Sequence, residues 1–210
     1  MPFDIFDTYS EEYDVWFEDH QTEFQEELFR IQRAIDPDAV PMMEIGVGSG
    51  RFSERLKILY GLDPSRSLGL IAKSRGISMI QGLGEAIPVK CGTFRTILMV
   101  TVLCFLDYPK ETFNEVYRIL ADDGYLIIAF IEKDGFIAQQ YLNRPNKSRF
   151  ISHARFYSLD TVTACIFQSG FTILSVDCLM GFCVISCKKI IRYCSLFGVN
   201  AVNSKPMTMD

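Results

Sequence analysis

The chain has 210 residues, 49% of them hydrophobic, with 21 Lys and Arg against 26 Asp and Glu, a formal net charge of -5. That is enough for one well-buried domain and too little for two, and with no basic block on any segment polyanionic nucleic acid is a poor partner. The longest apolar stretch, Ile97 to Leu106, is too short for a bilayer, and the start, with Asp4 and Asp7, lacks an apolar signal region, so no membrane association or secretory leader is expected.

The 7 cysteines are scattered, without a C-x-x-C pair, and several lie inside apolar runs. They read as reduced thiols serving as small core residues, which places the protein in the cytoplasm. Cys183 and Cys187 would share one face of a strand, but 2 histidines in the whole chain give little to build a metal site from, and none is expected.

Taken in order, Ser10 to Ile35 repeats apolar residues at helical steps: Tyr13, Trp16 and Phe17, then Phe24, Leu28, Ile31 and Ile35. The pattern predicts one helix, with Ser10 as its N-cap, Glu11 and Glu12 in the first turn, and Asp36-Pro37 as its end. Phe24, Leu28 and Ile31 would pack on a sheet. Tyr13, Trp16 and His20 are instead candidates to roof a cleft, since aromatic and imidazole groups combine an apolar body with a polar tip.

Val40 to Ile45 then reads as a strand that runs into Gly46, Gly48 and Gly50, a tight turn opening a helix over Phe52 to Leu59. Glycines tolerate positive φ and let a ligand lie directly on backbone N–H groups at the helix start. A dinucleotide fingerprint needs another glycine where this chain has Arg51, so a nicotinamide cofactor is the weaker reading. A second strand, Lys57 to Asp63, stops at Pro64-Ser65 and leaves the Asp63 carboxylate at its carboxyl end, the edge where open α/β sheets bind ligands. There it is placed to accept ribose hydroxyls or to cap the following helix.

Leu68 to Arg75 is predicted as a helix and Gly76 to Gln81 as the third strand, followed by Gly82-Leu83-Gly84-Glu85-Ala86-Ile87-Pro88. Thr93 to Thr101 reads as a buried parallel strand, Pro109 to Leu120 as a helix and Tyr125 to Phe130 as the fifth strand. Residues 131-157 turn polar, with Arg144, Lys147, Arg149, His153 and Arg155 among aromatics, as expected of a substrate-side insertion. Ser158 should cap a helix over Leu159 to Ser169, with Leu159, Val162, Ile166 and Phe167 on its buried side and Gly170 ending it. Phe171 to Asp177 and Phe182 to Lys188 read as a closing antiparallel pair, and 190-210 as an irregular tail.

From about Tyr9 to Lys189 this order resembles the class I S-adenosylmethionine-dependent methyltransferases. The glycine stretch resembles their E-x-G-x-G-x-G motif, and Gly82 to Pro88 their G-D-A-E-x-L-P loop, with Leu83 in place of the aspartate that holds adenine. Tyr13 to Phe17, Glu44 to Phe52, Leu98 to Phe105 and Ala154 to Ser158 are similar to a group of small prokaryotic, histamine-methyltransferase-like members. The resemblance implies an α/β, Rossmann-like fold: a mostly parallel seven-stranded sheet with an antiparallel last strand and helices on both faces. It implies one methyltransferase domain over 1-189, with 1-36 as an N-terminal lid helix. It further implies S-adenosylmethionine as cofactor, held by Glu44, Gly46, Gly48, Gly50, Asp63, Pro64, Gly84, Glu85 and Thr101, with Tyr13 and Trp16 on the acceptor side. His20 and His153 are the candidates for any general base. The expected activity is methyl transfer to a small molecule by a monomer or homodimer, the alternative being a protein that binds S-adenosylmethionine or S-adenosylhomocysteine with little turnover.

Overall fold

A computed structural model describes residues 4–143 and 148–191. Arg144 and Lys147 of the predicted insertion, and the tail beyond Ile191, lie outside these described residues. In chain order the elements are α1 (Asp4–Thr8), α2 (Ser10–Asp19), α3 (Gln21–Ala34), β1 (Met42–Ile45), α4 (Arg51–Leu56), β2 (Tyr60–Asp63), α5 (Arg66–Ser74), β3 (Ser78–Gln81) and β4 (Phe94–Val100). They continue with α6 (Pro109–Ile119), β5 (Leu120–Ile131), α7 (Phe136–Asn143), α8 (Leu159–Gln168), β6 (Phe171–Leu179) and β7 (Phe182–Lys189).

The seven strands form one sheet in the order β3-β2-β1-β4-β5-β7-β6. Strands β3, β2, β1, β4 and β5 are parallel, while β7 runs antiparallel to both β5 and β6. This is the Rossmann-like methyltransferase architecture that the motif order implied.

Alternation along the central strands sorts side chains onto two faces, as the two-residue period requires. Ile97 and Met99 of β4 and Leu126, Ile128 and Phe130 of β5 join Phe113, Val116 and Ile119 of α6 and Val162 and Ile166 of α8 in one core cluster. Leu98, Val100, Ile127 and Ala129 face the other way, onto Phe24, Leu28 and Ile31 of α3 and Phe52 of α4. Each large side chain among them contributes about 1.5–3 kcal/mol when fully buried, so this double-sided packing holds the strand ends in place.

Several elements differ from their sequence expectation. The predicted N-terminal helix is broken at His20, whose φ of -121 separates α2 from α3, and Ser10 begins α2 with no side-chain cap, Tyr9 holding the cap position. The apolar period runs on through the break, which hides it from pattern reading. Phe167 is 58% exposed, because the face of α8 turned to the core carries Leu159, Val162, Cys165 and Ile166, spaced three and four residues apart, and Phe167 falls off it. Ser158 does cap α8, its Oγ accepting from the Thr161 N–H.

The reading of all thiols as reduced fails at one pair. Cys178 and Cys183 are joined by a disulfide, because Met180 and Gly181 form a two-residue turn that places the two residues opposite one another across the β6–β7 hairpin. Cys91, Cys104, Cys165 and Cys187 are free. Among the described residues no group of His, Cys, Asp and Glu is placed to hold a metal, and no helix is long and apolar enough to cross a membrane.

Candidate functional site

β1 and β4 lie side by side, yet their connections leave in opposite directions, through α4 to β2 and through α6 to β5. The crevice beyond the carboxyl ends of such a pair is where open α/β sheets bind ligands. The glycine turn occupies it, with Gly46, Gly48 and Gly50 at φ of +72, +54 and +84. At Gly46 no larger residue fits, since an added Cβ would lie 2.2 Å from Val102 Cγ2. Thr101, closing β4, also has a positive φ of +49, a costly conformation for a β-branched residue and one that concentrates at functional sites.

Asp63 ends β2 and is 8% exposed. One carboxylate oxygen accepts the Gly48 N–H at 2.9 Å and the other the Ser65 N–H at 2.8 Å. Burial raises its pKa to about 6, against the lowering effect of these two N–H donors. A carboxylate oxygen has two acceptor positions, so each retains one for a ligand hydroxyl. That spare capacity, beside a turn with glycine at every second position, fits the ribose and methionyl parts of S-adenosylmethionine.

Glu44 is 1% exposed and accepts a hydrogen bond from Ser53 Oγ in the first turn of α4 at 2.5 Å. Burial, opposed by this bond and reinforced by Asp63, pushes its pKa up to about 8, so the side chain is largely protonated at neutral pH. Gly84 is buried against Thr112, Glu85 accepts the Tyr108 N–H at 3.4 Å, and the Pro64 carbonyl accepts from the Gln81 side chain. Leu83 is 46% exposed on the same loop.

Over this floor lie rings from three segments. Tyr13 stands 3.3 Å from where a Gly48 Cβ would be, and its ring meets Phe6 at 5.4 Å and Phe150 at 5.6 Å. Phe6 in turn contacts Phe105 of the post-β4 loop at 5.1 Å. Burial, then the nearby Asp63 and Glu44, raise the Tyr13 pKa, which keeps the phenol neutral. Cys104 lies in the loop behind, its Sγ 3.2 Å from the Thr101 carbonyl and its pKa raised by burial to about 12; a thiol so held is no nucleophile.

The other expected residues sit elsewhere. Trp16 packs into the α3 side of the core, edge-on to Phe17 and stacked on His20 at 4.4 Å. The His20 Nδ1 is 2.9 Å from the Trp16 carbonyl, and His153 is exposed in a short 3-10 turn. Among the described residues neither histidine is hydrogen-bonded to Glu44, Asp63 or the glycine turn. Sequence reasoning missed Phe6, Asp7, Asp14, Ser53, Arg75 and Phe150. One signal was available, since Phe6-Asp7 and Tyr13-Asp14 repeat an aromatic–aspartate pair two helical turns apart.

Comparison with known proteins gives the family. Residues 43–128 match the family model described as a methyltransferase domain. A crystal structure from Thermotoga maritima, described as an S-adenosylmethionine-dependent methyltransferase and possible histamine N-methyltransferase, superposes with a TM-score of 0.82 at 31% identity, covering 89% of this chain and 99% of that one. An uncharacterized protein of Methanocaldococcus jannaschii is 36% identical over 167 residues, 80% of each chain. An 18S rRNA (guanine-N7)-methyltransferase of Saccharomyces cerevisiae is 29% identical over 109 residues, 48% of this chain and 40% of that one. The chain belongs to the S-adenosylmethionine-dependent methyltransferases. It is an enzyme of that class, and S-adenosylmethionine is its cofactor.

Proposed function

We propose that the enzyme methylates a small-molecule nucleophile, with amines the first class to test. The observation that carries this reading is the cluster of Phe6, Tyr13, Phe105 and Phe150 packed over the Asp63–Gly48 floor, an aromatic cover on the side where an acceptor would approach. Aromatic faces attract the positive charge that an amine gains on methylation. The description of the Thermotoga maritima structure as a possible histamine N-methyltransferase supports the same class.

When bound, S-adenosylmethionine supplies an electrophilic methyl on a sulfonium, so the protein's task is alignment and exclusion of water. Asp63 accepts the ribose hydroxyls, and Gly46, Gly48 and Gly50 let the cofactor lie on the main chain. Glu44, bonded to Ser53, holds α4 against β1 and so fixes the glycine turn. Gly84 and Glu85 border the adenine, Pro64 and Thr101 shape the strand ends beside it, and Tyr13 closes the acceptor side. Trp16 supports Tyr13 from behind through Phe17. His20 and His153 remain candidates for a base only if the acceptor arrives protonated.

Incubation of the full chain with methyl-labelled cofactor and a panel of amines, phenols, thiols and RNA tests the reading. Label in a small amine is the expected result. Label confined to RNA, the reading favoured by the yeast relative and opposed by a net charge of -5, would overturn it.

A further inference from the structure

The N-terminal helices are fastened over the site at two points. Asp14 of α2, the residue after Tyr13, receives a bidentate fork from Arg51, with Nε to Oδ1 and Nη2 to Oδ2 both at 2.8 Å. Arg75, the C-cap residue of α5, donates to the same carboxylate at 2.7 Å and with its other terminal nitrogen to the Ser49 carbonyl at 2.6 Å. Ser49 lies between Gly48 and Gly50, so one guanidinium holds both the helix and the glycine turn. The three side chains are 15–18% exposed, whereas the outer partners Glu18 and Glu54 are 59% and 46% exposed. Asp7 of α1, the residue after Phe6, accepts from Ser65 Oγ at 2.7 Å and from the Ser67 N–H at 2.8 Å, beside Asp63. Phe6 and Tyr13, the two covering aromatics that come from α1 and α2, are thus each followed by the carboxylate that pins their helix.

We propose that Asp14 is a positioning residue whose release from Arg51 and Arg75 frees α2 from the glycine turn and leaves the N-terminal helices held by Asp7 and the exposed Glu12–Arg149 pair, so that this carboxylate controls cofactor entry and product release. The proposal rests on the reading that S-adenosylmethionine lies under Tyr13. Charge-assisted, bidentate and mostly shielded, the clamp is stronger than a surface ion pair, and because Arg75 also grips the turn, its closure senses the turn's conformation. The same arrangement explains why an arginine stands where a dinucleotide fingerprint has glycine.

Two measurements on the full chain test it. Amide hydrogen exchange without ligand should be roughly tenfold or more faster over residues 4–19 in Asp14→Asn than in the unmodified chain, as expected for losing charge-assisted hydrogen bonds, with the sheet unchanged. Stopped-flow mixing with S-adenosylhomocysteine, read by the single tryptophan, Trp16, should show association and dissociation both accelerated and the equilibrium constant changed less than either rate. A gate moves both rates; a lost ligand contact moves dissociation alone. Arg51→Lys, which keeps a charge and loses the fork, should give intermediate exchange and rates, and serves if Asp14→Asn does not fold. Glu54→Gln, at the rim, should match the unmodified chain. Unchanged exchange over 4–19, or faster dissociation with unaltered association, would overturn the proposal. Failure of S-adenosylhomocysteine to bind the unmodified chain would overturn the cofactor placement, while the exchange measurement would still decide the clamp.

Discussion

The two halves of the sheet are built differently. Strands β1, β2 and β3 have four residues each, whereas β4, β5, β6 and β7 have 7, 12, 9 and 8. The short strands end at Gly46, Asp63 and the Gly82 loop and deliver the candidate cofactor contacts. The long strands carry most of the core, including Leu126, Ile128, Cys183 and Ile185. The difference teaches a division of labour: long paired strands and α6 supply stability, and short strands on their flank carry the left-handed glycine turn and the buried carboxylates Glu44 and Asp63 that such stability tolerates.

That division makes predictions that separate stability from binding. The largest effect belongs to the stable half: Phe113→Ala, at a fully buried position of α6, should lower unfolding free energy by about 3–5 kcal/mol in denaturant titration while cofactor affinity of the folded fraction stays within about threefold. An affinity collapse there would break the comparison. On the binding side, Asp63→Ala should weaken S-adenosylhomocysteine by on the order of a hundredfold in calorimetry, since hydrogen bonds to a charged group are worth about 1.5–3 kcal/mol each. Unaltered affinity would remove Asp63 from the cofactor site.

A smaller effect is expected from pH. Glu44 keeps its proton in the folded state up to about pH 8, while the same side chain ionises near its ordinary value of 4.5 once unfolded. Between those values the folded state binds more protons, so its contribution to stability is full below 4.5 and is lost as pH rises toward 8. Glu27, likewise raised to about 8 by burial, acts in the same window. Melting temperatures measured from pH 5 to 8 should therefore fall, and Glu44→Gln should flatten the slope in part. Parallel slopes would mean that Glu44 is ionised in the fold. The smallest effect is Leu83→Asp, which restores the acid of the adenine loop and should tighten S-adenosylhomocysteine roughly twofold to tenfold. No gain would show that Glu85 already serves adenine.

Much of this was legible because it depends on local order. The apolar runs of β4 and β5, the Ser158 cap, the glycine turn and the acid at the end of β2 are short-range signals whose place in the chain is read from a few neighbouring residues. The break at His20 was not legible, since backbone dihedrals there follow from packing of Trp16 and Phe17 rather than from any change of period. Nor was the Cys178–Cys183 bond, which depends on hairpin register.

By itself, then, the order of residues determined the strands and helices around the glycine turn and the position of Asp63 at the end of β2, because strand and turn propensities act within a few neighbours, and the order of its motifs carried the resemblance that implied the fold class. Only the tertiary structure decided that Arg51 and Arg75, 37 and 61 residues from Asp14 along the chain, converge on it, and that Phe6 and Phe150 meet Tyr13 while Phe105 meets Phe6. Contacts at such separations are selected by which helices pack on which face, a property of the assembled sheet that no local pattern encodes.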